Sequence, residues 1–240
     1  MGLFDLFRGD DKKKAEGLGK KLKEPYAQPE VRQEAMEALF KLGTPEAFKQ
    51  VLKRFTFVSQ SLHWDSEEKK WLVEELSKTP SAVDVVKEFI RTDDNVNFAI
   101  RALEKMVGAD DARTTILEAL KARPPEDYRR TQAKIELIDH LGTRTADDTL
   151  WTAITPYLDD HSDDVRMKVL EVVEGWKLVP AAEQVARLLA DDTLSARVHR
   201  SAAQVLFNLA VKLSPAPKLP AAAAEDYVVD GDGQVVKKKK

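Results

Sequence analysis

Residues 162–176 read SDDVRMKVLEVVEGW and predict an amphipathic helix. Ser162, Asp163 and Asp164 favour a helix N-terminus, because their side-chain oxygens accept hydrogen bonds from its free amides. Five residues then recur at the spacing of one helix face, namely Val165, Val169, Val172, Val173 and Trp176. An apolar face of this kind is stable only when another element covers it, so the rest of the chain must supply that cover.

The same spacing recurs along the chain. The first residues of the six copies are Val31, Trp64, Val96, Arg130, Val165 and Val198, which lie 32 to 35 residues apart. The second and fourth copies are imperfect, since Glu68 and Lys134 stand at the +4 position where an apolar residue is expected. A period in this range predicts stacked helical repeats, each of which buries its apolar face against its neighbours.

Two helix openings carry a resemblance to a known family. The Asp-x-Val-Arg of residues 163–166 in the fifth copy, and the Pro-Glu-Val-Arg of residues 29–32 in the first, resemble the openings of HEAT repeats, in particular the short bacterial units. The resemblance implies an all-α, right-handed α-solenoid of about six helical hairpins. The predicted helices are 29–42 with 45–55, 66–77 with 81–91, 95–107 with 110–122, 126–141 with 147–158, 163–176 with 181–190, and 194–213 without a second helix.

Composition divides the chain into three regions. Residues 1–24 are an apolar and basic segment, residues 25–213 the HEAT-like array, and residues 214–240 a Pro- and Ala-rich linker with a basic tail. Within that tail, two β-branched runs flank a Gly-rich turn, which predicts a short β-hairpin. An isolated hairpin is marginally stable, so we expect it to dock on the open end of the array or on a partner.

The N-terminal segment places four apolar side chains at helical spacing, namely Leu3, Phe4, Leu6 and Phe7. A helix this short needs a surface to form on. We expect it either to cap the first repeat or to tether the array to a partner groove or, weakly, to an anionic membrane. Gly17 and Gly19 are predicted to form a hinge before the array.

Charge and residue content exclude several classes of site. Residues 25–214 carry 26 Lys and Arg against 32 Asp and Glu, a net charge of −6, so nucleic acid is an unfavourable partner. The chain has no cysteine, and its four histidines lie in different repeats, so neither a metal site nor a cofactor is expected. A cytoplasmic location follows by default, with peripheral contact at the inner face of the membrane as an alternative.

The sequence predicts a scaffold or adaptor that is not an enzyme and binds a protein or peptide. In such arrays the second helices commonly line the concave face, and their exposed residues are Lys49, Lys53, Lys87, Arg91, Arg113, Trp151, Gln184 and Arg187. Trp151 is the expected aromatic anchor, because Trp and Arg dominate binding hot spots. Phe57 and Trp64, in a longer loop, are a second candidate.

Two enzyme classes with similar repeats are alternatives. HEAT-like DNA glycosylases carry tryptophans, an aspartate and basic residues in a cleft, and Trp151 lies near Asp148 in the sequence. Phycobilin lyases share the repeat architecture, but no residue pattern marks a chromophore site. Both remain alternatives to the adaptor, as does an adaptor tethered to a membrane through residues 1–24.

Overall fold

The structure, a computed structural model, describes residues 3–24 and 26–238, with side chains from Asp10 onward. Thirteen α-helices and one antiparallel pair of strands form this part of the chain. The helices are α1 (Leu3–Leu22), α2 (Pro29–Leu42), α3 (Pro45–Leu52), α4 (Leu62–Ser77), α5 (Val83–Thr92), α6 (Asn97–Val107), α7 (Ala109–Lys121), α8 (Thr131–Gly142), α9 (Asp148–Ile154), α10 (Asp163–Gly175), α11 (Ala182–Ala190), α12 (Ala196–Leu209) and α13 (Ala221–Ala224). The strands are β1 (Tyr227–Val229) and β2 (Val235–Lys237).

The chain forms two compact units, Met1–Ala119 and Leu120–Lys240. In the first unit, α2 packs against α3 and α4, α4 packs against α6, and α3 packs against α5. In the second, α8 packs against α10, α10 against α12, and α11 against α12. Within each unit, the first helix of one hairpin thus contacts the first helix of the next, which confirms the predicted all-α, solenoid-type class of fold.

The start of the apolar stripe differs between repeats. Val96, Val165 and Val198 are buried as predicted, whereas their equivalents in the other three copies are exposed. In the first repeat Val31 is 41% exposed and its neighbour Arg32 is buried instead. The predicted burial of Val31 is therefore wrong, because an ionic contact takes the inward position at that turn of α2.

Glu68 and Lys134 are the two charged residues that stand at apolar positions of the repeat, and both are buried in ion pairs. In the second unit, Lys134 Nζ lies 2.7 Å from the Asp160 carboxylate and also donates to the Asp127 carbonyl oxygen. Both side chains of this pair are removed from water. Burying a lone charge would cost several kcal/mol, so the pairing is what makes a lysine tolerable at this position.

Asp-Asp pairs recur between helices of this chain, for example at 147–148 and 159–160, and they serve two different purposes. Asp147 caps α9, since its carboxylate accepts from the Leu150 amide at 2.8 Å. Asp160 is instead a buried ion-pair partner, although it also accepts from the Ser162 amide at 2.9 Å. An acid that follows a helix is therefore not always a cap, and its role depends on the charge that the neighbouring repeat presents.

Helix α1 runs unbroken through Gly17 and Gly19, so the structure has no hinge there. It packs against α2 and α3 and buries Ala15 and Leu22. A Cβ atom at Gly19 would collide with the Gln50 side chain, which indicates close contact with α3. The four apolar side chains predicted to cap or tether the array, Leu3, Phe4, Leu6 and Phe7, lie outside the described side chains. None of the described helices is long and apolar enough to cross a membrane.

The sixth repeat is predicted to have no second helix, and in the structure the C-terminal tail packs against its first helix, α12. Helix α13 and strand β2 both pack against α12, and the Tyr227 ring lies 5.8 Å from that of Phe207. The predicted hairpin forms, with Val228 opposite Val236. Its turn needs Gly233, whose φ is +81° and whose Cβ atom would meet the Leu213 carbonyl oxygen. The predicted docking on the open end of the array thus agrees with the structure.

We expect Lys134→Met to lower the free energy of unfolding by about 3–5 kcal/mol, because it leaves Asp160 buried without its cation. Adding Asp160→Asn to the same chain removes that charge and should recover much of the loss. Urea unfolding of both variants measures this, with Arg197→Met as the control, since its ion pair with Asp164 is exposed and contributes about 0–1 kcal/mol. A cost for Lys134→Met no larger than that of the control would contradict the interpretation.

Candidate partner-binding site

Five charged side chains form what we call the buried charge cluster in the first unit. Its members are Arg32, Arg54, Asp65, Glu68 and Lys69, each at most 8% exposed. Glu68 accepts from Arg32 at 2.8 and 3.0 Å and from Arg54 at 2.6 Å. Asp65 accepts from Arg54 at 2.7 Å and pairs with Lys69 at 2.8 Å. The cluster joins α2, the segment after α3, and α4 into one ionic contact.

The buried charge cluster also binds the backbone of two segments without regular structure. Arg32 Nη1 donates to the Ala27 carbonyl oxygen at 2.5 Å, which holds the chain just before α2. Arg54 Nη1 donates to the Phe57 carbonyl oxygen at 3.1 Å, and Asp65 accepts from the Ser59 amide at 2.8 Å. Both segments are therefore held to the buried charge cluster by charge-assisted hydrogen bonds, which are stronger than neutral ones.

Helix α4 begins four residues earlier than the sequence predicted. The Ser61 hydroxyl accepts from the Trp64 amide and caps the helix. This start places Trp64 in the first turn of α4, where Asp65 points inward and Trp64 remains 46% exposed. The prediction that Trp64 begins a buried stripe is wrong, because the ionic contact takes the inward position here as it does at Val31.

Trp64 lies between two hollows, which together we call the Trp64 groove. The larger has a volume of about 480 Å³ and is lined by Pro29, Glu30, Gln33, Glu34, Trp64, Glu67, Glu68 and Trp71. The smaller has a volume of about 250 Å³ and is lined by Tyr26, Ala27, Gln28, Pro29, Arg32, Gln60, Ser61 and Trp64. The lining comes from α2, α4 and the two segments that the buried charge cluster holds in place.

Exposed apolar side chains are frequent in the part of the chain that contributes to this groove. Eight large hydrophobic residues are exposed in the described part of the chain, and five of them lie in residues 26–64. These five are Tyr26, Val31, Val58, Leu62 and Trp64. Tyr26 and Trp64 line the groove itself, and exposed aromatic side chains in a groove are typical of a binding surface.

The predicted partner-binding residues of the first unit make local polar contacts. Lys49 lies 3.9 Å from Glu46, Lys53 donates to Gln50 at 2.7 Å, and Arg91 pairs with Glu118 at 2.8 Å. Burial and the nearby charge of Lys23 lower the pKa of Lys53. Lys87 and Arg113 are partly exposed on α5 and α7. None of these five residues lines the Trp64 groove.

The other three predicted residues lie in the second unit. Trp151 is partly exposed on α9, and its indole Nε1 donates to Asp148 at 3.3 Å. Gln184 is partly buried and Arg187 is exposed, both on α11. The predicted surface is thus divided between the two units, and its role in binding remains a prediction. In the described residues, no group of three or more His, Asp or Glu side chains is placed to hold a metal ion.

Comparison with known proteins gives little information. No protein-family model matches the sequence, and a search of curated proteins gives no match. Among solved structures, the fold resembles human deoxyhypusine hydroxylase, determined in complex with glycerol. The match covers 92% of this chain and 96% of that chain, at 16% identity and a TM-score of 0.36. At this TM-score the likeness carries no argument about the activity of this protein.

The matched structure is that of an enzyme, so the prediction that this protein is not an enzyme is corrected: a helical-repeat fold gives no ground for that exclusion. A helical-repeat fold does not decide between binding and catalysis, which depend on the side chains of a particular site. The Trp64 groove was identified from the geometry of this chain alone.

The buried charge cluster predicts a specific dependence of stability on pH. Burial alone would raise the pKa of Asp65, but hydrogen bonds from Lys69, Arg54 and the Ser59 amide outweigh it and hold that pKa below its ordinary value. The carboxylate therefore stabilises the fold fully above its unfolded pKa of about 4, and this contribution is lost as pH falls through the lower, folded value.

Chemical unfolding at a series of acidic pH values tests this dependence. We expect Asp65→Asn to flatten the fall of the unfolding free energy in acid, relative to the wild type. Asp232→Asn, which alters an exposed ion pair with Lys212, serves as the control and should leave the slope unchanged. Equal slopes for the wild type and Asp65→Asn would show that Asp65 does not carry the dependence.

Proposed function

We propose that the protein is a peptide-binding repeat module, acting as a scaffold or adaptor, and that the Trp64 groove is its binding surface. The observation that carries the proposal is the position of Trp64, which lines both hollows and remains 46% exposed. Exposing a tryptophan beside a groove leaves a large apolar surface uncovered, and a partner that covers it would gain that burial.

The fixed backbone around the groove supports the same proposal. Association costs free energy when loops and side chains must be ordered at the interface. Here the carbonyl oxygens of Ala27 and Phe57 and the amide of Ser59 are already bound by the buried charge cluster. A peptide would therefore meet a groove whose walls are ordered in advance, and less of its binding free energy would go into ordering them.

A cytoplasmic location and a protein or peptide partner belong to the same proposal. The acidic charge of residues 25–214 supports the expectation that nucleic acid is a poor partner. The predicted surface that includes Trp151 is the second candidate for the binding surface, because Trp151 is also a partly exposed tryptophan.

To test the proposal, peptides that bind the full-length protein are selected from a displayed library of random sequences. We expect the enriched peptides to lose at least about tenfold in affinity for Trp64→Ala, since truncating a central hot spot typically costs 2 kcal/mol or more. The midpoint of thermal unfolding should change little, because Trp64 contributes to the surface more than to the core.

Trp151→Ala is the matched control in the second unit and should bind the same peptides with unchanged affinity. Peptides that bind Trp64→Ala with unchanged affinity but do not bind Trp151→Ala would place the binding site on the predicted surface that includes Trp151. A selection that enriches no peptide at all would contradict the proposed function.

A further inference from the structure

We propose that the Trp64 groove binds a basic peptide segment, whose Lys or Arg side chain lies along the tryptophans with its charged end among carboxylates of α2 and α4. This inference rests on the proposed function and adds the chemistry of the ligand. It comes from the charges that line the larger hollow and not from any likeness to another protein.

The larger hollow is lined by four glutamates, and none of its described lining residues is Lys or Arg. Glu30 and Glu34 lie four residues apart on α2, so they share one face of that helix. Both are exposed, and neither has an ion-pair partner among the described residues. The groove therefore presents negative charge that the protein does not neutralise locally.

The other two glutamates differ in how far they are already neutralised. Glu68 is buried and bound by Arg32 and Arg54, so it belongs to the framework of the groove. Glu67 is exposed and pairs with Lys70 at 2.9 Å, an exposed contact that an incoming cation can replace at little cost. Three carboxylates are thus accessible to a ligand, on both sides of the groove.

An apolar wall beside unpaired carboxylates fits the side chains of Lys and Arg. These side chains bury their methylene groups along apolar surface and keep the charged end in a polar environment. A cation over a tryptophan face also gains a cation–π interaction, which is strongest for Trp among the aromatic residues. Trp64 and Trp71 both line the larger hollow, beside the carboxylates.

The same charges disfavour an anionic ligand. A nucleic-acid phosphate or an anionic lipid headgroup would meet Glu30, Glu34 and Glu67 without a compensating lysine or arginine in the described lining of the larger hollow. Complementary charge increases both the rate of association and the selectivity for the correct partner. A basic peptide is therefore the ligand class that the groove favours.

The peptides that depend on Trp64 provide the probes. We expect them to be enriched in Lys or Arg, and we expect each to lose about tenfold in affinity when that residue is replaced by norleucine, which keeps a similar chain without the charge. On the protein, Glu30→Gln with Glu34→Gln should weaken the same peptides to a similar extent, and high ionic strength should reduce the difference.

Asp84→Asn with Glu88→Gln is the matched control. Both residues are exposed on α5 outside the groove lining, so this variant makes the same change in net charge. It should bind the peptides within about twofold of the wild type, because exposed charges beyond a Debye length of ~8 Å are largely screened at physiological ionic strength. Equal losses for the two double variants would show a general charge effect and overturn the inference.

The inference and the proposed function fail in different ways. Trp64-dependent peptides that contain no Lys or Arg, or that bind the groove double variant unchanged, would overturn the basic-peptide inference and leave the groove as a binding site. Loss of Trp64 dependence would instead overturn the proposed function itself. Binding of phosphatidylserine-containing vesicles or single-stranded DNA to the wild type that is lost in Trp64→Ala would also overturn the inference, since it would identify an anionic ligand of the groove.

Discussion

The buried charge cluster couples the fold of the first unit to the surface that this unit exposes. Glu68 joins Arg32 on α2 to Arg54 after α3, and Asp65 joins Arg54 to Lys69. Because each guanidinium also binds a backbone carbonyl oxygen, the same charges that hold the helices together position the walls of the Trp64 groove. Burying these charges is unfavourable unless every partner is present, so the fold and the groove depend on the same set of contacts.

The second unit contains the same arrangement in a simpler form. Lys134 occupies the position equivalent to Glu68, and it pairs with Asp160 in the turn before α10. Both imperfect copies of the repeat therefore replace one apolar contact with a buried ion pair. Such pairs commonly contribute less stability than a well-packed apolar contact, but they penalise any register that separates the charges. We interpret them as contacts that specify the register of the helices in their repeats.

The periodicity of the sequence was sufficient to predict the helical hairpins, because an apolar stripe at helical spacing has few other stable arrangements. The same rule fails at Val31 and Trp64, the first position of each stripe, where the following charged residue, Arg32 or Asp65, takes the inward position. Glu68 is the sequence signal for the buried charge cluster, since a charge at a buried position requires a partner. Its partners, Arg32 and Arg54, lie 36 and 14 residues away, so their pairing depends on the three-dimensional packing. For this reason the sequence alone favours Trp151 over Trp64 as the binding residue.

Hydrogen exchange at the Ser59 amide tests the coupling between cluster and groove most directly. Arg54→Lys keeps the positive charge but cannot reproduce the three contacts that the guanidinium makes with Glu68, Asp65 and Phe57. We predict that this variant increases the exchange rate of the Ser59 amide at least about tenfold, corresponding to the loss of about 1.4 kcal/mol of local stability, while the amide of Leu76 in α4 keeps its protection. Unchanged exchange at Ser59 in a folded Arg54→Lys protein would show that the loop is held by other contacts and would contradict the central claim.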